Sequence, residues 1–261
     1  MEPNQYETVI VKQNDGVTTI MLNRPSAYNA FTPQMNEEIM QALKKAERDQ
    51  TIRSIVITGQ GKAFCAGEDL GGVDENTNHA TFLRTRYHPM IKMMKSVSKP
   101  IIAAVNGTAA GAGMSLALAA DFRLVHKETQ FVSAFMGIGL VPDSGFMYTL
   151  PRLIGYAKAL EIAVFDTPIT GEKAQEIGLA TKLLEKDEWE EQVHSFAESM
   201  ATLPTKAFSL MKRYMMDGMH TPYSKALEWE AQAQRIAGLS RDHQEGLKAF
   251  KEKRQPVYVG H

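Results

Sequence analysis

The sequence carries a single cysteine, Cys65, among 261 residues, so an internal disulfide cannot form. That suits a reducing compartment, and the expected location is the cytoplasm. No apolar run approaches the ~18 residues of a membrane span, and the opening MEPNQYETVI lacks the basic and apolar regions of a signal peptide. Charge of one sign is also lacking. The 29 basic residues stand against 30 acidic ones, for a net charge of -1. This leaves no electrostatic reason to expect nucleic acid or a membrane surface as partner. Repeats and low-complexity tracts are absent. The acidic cluster Glu68, Asp69, Asp74 and Glu75 has no histidine at metal-ligand spacing, so it reads as loop and helix-capping charge, and no metal is expected.

What is present is a chain long enough to bury a large core, with 44% hydrophobic and 23% charged residues, as globular enzymes have. The first ~150 residues alternate β and α patterns, and the rest is mostly helical without an intervening flexible linker. Residues 6–12 and 17–22 are β-rich runs joined across Asp15-Gly16, which predicts an antiparallel hairpin. Thr32-Pro33 predicts a helix start, with Met35, Ile39, Leu43 and Ala46 following at helical spacing. Residues 54–58, 101–105, 122–125 and 130–133 read as strands, and 180–184 as the one short strand beyond Gly155. A helix over 79–96 puts Phe82, Leu83, Tyr87, Met90, Met93 and Met94 largely on one side. Core packing is the expectation for that stripe, and an adaptable pocket wall is the alternative. Ser144 or Asp143 stands where it could cap a helix reaching Leu150. Further helices are marked by Trp189, Val193, Phe196 and Met200, by Phe208, Met211 and Met215, and by the spans 223–237 and 241–253.

Two places share one local logic. Residues 54–58 lead to Cys65-Ala66-Gly67, and residues 101–105 lead to Gly111-Ala112-Gly113, which opens an apolar segment over 114–120 read as a buried helix. A strand running through a small-residue turn into a helix delivers free N–H groups and a positive dipole end to one spot. If neighbouring strands carry the two turns, the N–H groups of Ala66 and Ala112 converge on one oxygen. Such paired donors stabilise an enolate or a tetrahedral oxyanion. Glycine used only for close strand–helix packing is the other reading.

These residues, with Leu22-Asn23-Arg24-Pro25, Asn29-Ala30, Phe64 to Leu70, Lys99 to Gly107, residues 111–121, Gly139 to Asp143 and Ala249 to Arg254, resemble the enoyl-CoA hydratase/isomerase (crotonase) family along nearly the whole chain. The resemblance implies an α/β fold: a spiral of ββα units over residues 1–195 and a helical C-terminal region over 196–261 used for trimer formation. It implies an acyl-CoA thioester substrate, no separate cofactor because coenzyme A is part of the substrate, and a homotrimer or dimer of trimers. The oxyanion donors fall on Ala66 and Ala112. The coenzyme A and substrate contacts fall on Arg24, Ala27, Ala63, Ala66, Gly67, Glu68, Asp69, Leu70, Gly111 and Phe135. Lys251 or Arg254 could reach a coenzyme A phosphate, although solvated charge on a terminal helix explains them equally.

The chain departs from the family's hydratases at two positions. Where they carry glutamates it has Ser115 and Phe135, which cannot activate water and deliver a proton. Asp143, in Gly-Leu-Val-Pro-Asp-Ser-Gly, stands where some family isomerases carry their acid/base, in a context resembling ring-1,2-epoxyphenylacetyl-CoA isomerases. One carboxylate can remove a proton at C2 or C4 and return it to the other carbon. Apolar neighbours Ile138, Leu140, Val141 and Phe146 would raise its pKa toward the working range. The expected activity is therefore enoyl-CoA isomerisation through Asp143. The alternatives are hydration despite both missing glutamates, a serine hydrolase using Ser115 in Gly113-Met114-Ser115-Leu116-Ala117, an aryl-CoA dehalogenase using Asp143 as nucleophile, or a degenerate, non-catalytic family member. The dehalogenases carry tryptophan where this chain has Phe135.

Overall fold

The apolar strands are buried on both faces, as parallel strands covered by helices must be. In the computed structural model, which describes residues 6–72, 74 and 76–261, ten strands form two sheets. They are β1 (Val9–Asn14), β2 (Val17–Leu22), β3 (Ser54–Gly59), β4 (Ala63–Cys65), β5 (Ile101–Val105), β6 (Thr108–Ala110), β7 (Phe122–Val125), β8 (Gln130–Val132), β9 (Ile169–Thr170) and β10 (Lys182–Leu183). The larger sheet has the order β1-β2-β3-β5-β7-β10, and the smaller β4-β6-β8-β9. The expected β1–β2 hairpin forms with Val9 opposite Leu22, and β3 runs parallel to β5 with Ile55 beside Ile101.

Alternation along these strands divides the core. Ile55, Ile57, Ile101, Ala103 and Val105 join the main core with Met35, Ile39 and Leu43 of α1 (Pro33–Arg48). Val56, Ile102 and Ala104 face the other way, into a smaller cluster. Thr32 caps α1 by accepting from Met35 N–H.

The 79–96 span is helical but not uniform. α2 (His79–Phe82) and α3 (His88–Ser96) are joined by a π-helical turn over Leu83–Tyr87. Pro89 has no N–H to offer the carbonyl four residues back, and His88 N–H bonds to Leu83 five residues back instead. Tyr87, Met90 and Met94 are buried in the main core with Phe82, Leu83 and Met93 against it, so the stripe is core.

α4 (Ala112–Ala119) is buried throughout. α5 (Phe146–Ile154) starts after Gly145, and neither Ser144 nor Asp143 caps it with its side chain, contrary to expectation. α6 (Tyr156–Phe165) and α7 (Gly171–Glu176) follow. α8 (Trp189–Ala201) runs unbroken across residue 195 and lays Ala197, Trp189, Val193 and Phe196 on the second sheet face. The helical C-terminal region, α9 (Thr205–Gly218), α10 (Tyr223–Gly238) and α11 (Arg241–Glu252), therefore begins beyond a helix that belongs to the sheet. The short strands β4, β6 and β9 lie outside the sequence reading; two or three residues carry too little alternation to register.

Candidate active site

The small sheet brings the two turns together. β4 and β6 pair in parallel, with Ala63 beside Thr108 and Cys65 beside Ala109. The residues that follow each strand stay side by side. A β-carbon on Gly113 would sit 2.1 Å from the Cys65 carbonyl oxygen, so only glycine lets α4 start this close to the first turn. Gly67, at φ +97, places its Cα face within contact of Ala112 N. Ala112 opens α4, where a helix leaves its first N–H groups without internal partners.

The partner donor is not the expected one. Ala66 N–H donates to Tyr28 O at 3.0 Å, so it is already committed. Phe31 forms a parallel bridge at Glu68: Phe31 N–H donates to Gly67 O at 2.7 Å, and Asp69 N–H to Phe31 O at 3.0 Å. In such a bridge the central residue turns its own N–H to the opposite side. Glu68 N–H therefore faces away from Phe31, toward the side held by residues 110–112, and among the described residues it has no hydrogen-bond partner. Of the two, Glu68 rather than Ala66 has the N–H left free to donate.

The Glu68 side chain is held from the far side. Arg86 donates to both carboxylate oxygens at 2.9 and 3.1 Å, and Tyr87 Oη donates to Oε2. Arg86 also donates to Asn36 Oδ1 at 2.9 Å and lies 4.2 Å from the Phe82 ring centroid. Burial is the largest influence on this carboxyl and raises its pKa, while Tyr87 and Arg86 oppose it. The adjacent Tyr87 phenol is pushed up as well, by burial first and by Glu68 second.

Asp143 sits on the other flank. Ser115, one turn into α4, donates from Oγ to Asp143 O at 3.0 Å and so fastens the Pro142–Ser144 turn to the helix that carries Ala112. Asp143 Oδ1 is buried with no hydrogen-bond partner. Burial raises this carboxyl above its ordinary value; the Ser144 hydroxyl, close by but without hydrogen-bond geometry, and then His88 and His79 oppose the rise. Ile91 of α3 touches Gly145, which sets the histidine-bearing segment against this turn.

Two backbone N–H groups without partners beside a turn that carries a raised carboxyl, unpartnered at Oδ1, suit the chemistry of acyl-CoA enolates. The sequence profile of the enoyl-CoA hydratase/isomerase family matches residues 12–261. The chain belongs to this family. It is 39% identical to a probable enoyl-CoA hydratase of Rhodobacter capsulatus, over 98% of this chain and 99% of the relative. It is 35% identical to the 1,2-epoxyphenylacetyl-CoA isomerase of Escherichia coli, over 97% and 99% of the two chains. Among solved structures, an enoyl-CoA hydratase from Bacillus anthracis superposes with a TM-score of 0.91 at 31% identity, covering 98% of this chain and all of the other. The fold is the crotonase fold.

Within this crotonase fold the remaining expected contacts divide. Arg24 and Asp69 come together at 2.8 Å, and Arg24 also donates to Ala30 O at 2.7 Å. The Arg24 contact holds the Asp69 carboxyl below its ordinary value. Ala27 lies in a short 3-10 turn over Pro25–Ala27, Ala63 accepts from Asn29 Nδ2, and Leu70 is exposed at the head of Leu70–Gly72. Gly111, at φ +52, forms the turn before α4.

Phe135 packs in the main core. It is 6% exposed, and its ring meets Phe146 edge-on at 6.1 Å. Phe131 is likewise core. Arg254 pairs with Glu245 and Glu252, both on its own chain. Asp74 accepts from Asn76 and Thr77 in a turn, Asn78 rather than an acidic residue caps α2, and Glu75 lies outside the described residues. Ser115 is buried, and among the described residues no histidine bonds to its hydroxyl, which lacks the base a nucleophile requires. Arg86, His79 and His88 escaped sequence reasoning, and Tyr87 was read only as part of the apolar stripe, since contacts with Glu68 and Asp143 are made only in the folded chain.

Proposed function

We propose that the protein is an enoyl-CoA isomerase that moves a double bond from the β,γ to the α,β position. The thioester oxygen lies between the N–H groups of Glu68 and Ala112. Asp143 takes a proton from C2 and returns it to C4, while the two donors hold the dienolate. The observation that carries this reading is the Asp143 carboxyl, half-buried, raised by its burial and free at Oδ1, on a turn pinned by Ser115 to the helix that presents Ala112. A base of raised pKa is matched to proton transfer near neutrality.

Hydration needs a second acid/base group. Ser115 spends its hydroxyl on Asp143 O, and Phe135 is buried, so neither supplies one. The acyl-CoA enters along Arg24, Asp69 and Leu70. The exposed apolar side chains Met211, Met215, Tyr223, Leu247 and Phe250 of the C-terminal helices suit burial against further copies of the chain, as a homotrimer or a dimer of trimers.

The deciding experiment follows the absorbance of the conjugated thioester with 3-enoyl-CoA and 2-enoyl-CoA substrates of several chain lengths. Conjugation should grow from the 3-enoyl substrate. Loss of conjugation from the 2-enoyl substrate alone would establish a hydratase, and no change with either would remove both activities.

A further inference from the structure

Far from the Asp143 site, three potential ligands meet between the β1–β2 turn and α8. His194 and Glu198 lie four residues apart on α8, hence on one helix face, with Nε2 to Oε1 at 3.4 Å. Asp15, at the hairpin turn, brings Oδ2 to 3.8 Å from the same Nε2. All three ligand atoms lie within 4.8 Å of one another. Among the described residues no lysine or arginine pairs with Asp15 or Glu198, so two carboxylates converge on one imidazole without a fixed cation.

The spacing is set by the fold. Gly16 O accepts from Ser54 N–H at 3.2 Å, and Ser54 Oγ donates to Ala197 O at 2.8 Å, so one residue of β3 ties down both the hairpin turn and the middle of α8. The Gly16 Cα also faces the Ala201 methyl group. Asp15 is held at φ +48, and Asn14 Nδ2 donates to its Oδ2. A tetrahedral ion with bonds of about 2.1 Å separates its ligands by about 3.4 Å, close to the spacing found here.

We propose that Asp15, His194 and Glu198 bind a divalent transition-metal ion of the zinc class, with the fourth position open to water. One neutral imidazole and two carboxylates are borderline ligands that suit such an ion, and two negative charges balance it. The bound ion links the hairpin turn to α8 at the border of a groove of ≈ 770 Å³ that runs past Trp189 to His126.

The full-length chain, prepared without affinity histidines and stripped with chelator, is titrated with Zn(II) and, for spectroscopy, Co(II). Expected are one equivalent of ion bound by Asp15, His194 and Glu198, tetrahedral Co(II) absorption, and a Tm that rises with zinc concentration. His194→Ala and the near-isosteric Asp15→Asn should each lose the Tm rise and the Co(II) spectrum while retaining the metal-free Tm and the isomerase rate. A zinc response that persists unchanged in both variants places the ion elsewhere and overturns the assignment. An equal response to Mg(II) or Ca(II), which do not favour imidazole, overturns the ligand set.

Discussion

Burial raises both the Glu68 and the Asp143 carboxyl, yet their surroundings differ in kind. Glu68 has Arg86 and Tyr87 on its oxygens, and its proposed role lies in the backbone: the carboxylate anchors a residue whose N–H has no partner among the described residues. Asp143 has a buried oxygen with no partner, and its backbone is the anchored part, through Ser115. A satisfied carboxylate positions; an unsatisfied one is left to exchange a proton. The same contrast separates the two donors. Ala112 N–H is free because it opens a helix, whereas Glu68 N–H is free because a bridge to Phe31 turns it outward.

Substitutions can break this contrast. The largest effect belongs to Asp143→Asn, which should lower isomerisation by about 10³-fold or more while leaving acyl-CoA binding near normal, since a general base is lost but the donors remain. An undiminished rate would make Asp143 a bystander. The wild-type rate should rise with pH through a value above the ordinary carboxylate range, because burial favours the neutral form and only the anion accepts a proton. A carboxyl raised by folding opposes stability once pH exceeds its unfolded value, so the asparagine variant should melt no lower than wild type at neutral pH.

Next comes Glu68→Pro, which removes the proposed donor N–H and should cost about 10²-fold or more in kcat. Glu68→Gln, which keeps that N–H, should cost less than about 10-fold. Equal losses in a folded pair would return the donor role to another residue. Arg86→Met should act mainly on stability. Its guanidinium and the Glu68 carboxylate are 14% and 16% exposed, and stranding one partner should cost about 2–3 kcal/mol in chemical denaturation. The Arg86→Met, Glu68→Gln double variant should recover part of that loss. Smallest is Ser115→Ala, with a few-fold fall in rate as the Asp143 turn loosens. A dead Ser115 variant would instead favour a serine nucleophile.

Much of this was legible in the chain. The β1–β2 hairpin, α1 with its Thr32 cap and the buried strands β3 and β5 follow from turn chemistry and apolar runs. The free N–H of Ala112 was legible because a Gly-Ala-Gly turn opening an apolar segment marks a helix start. The donor at Glu68 was not, because Ala66 and Glu68 differ only in what lies across from them, and Tyr28 and Phe31 sit more than thirty residues away. The π turn at Leu83–Tyr87 was hidden in an amphipathic pattern, although Pro89 was its signal. Phe135 packs in the core against Phe146, a contact between segments that apolar character alone does not reveal.

From the chain alone came a helix start that frees Ala112, and, through the family resemblance, a carboxylate at 143 and two positions without the hydratase glutamates. The first depends on local spacing and residue type, and the others on motifs that the chain shares with its family. The tertiary structure alone decided which N–H groups remain unpaired, which of two raised carboxyls keeps an orphan oxygen, and that Asp15 meets His194 and Glu198. Those outcomes are set by hydrogen bonds between distant segments, and a donor is free or committed only once its neighbours in space have been assigned.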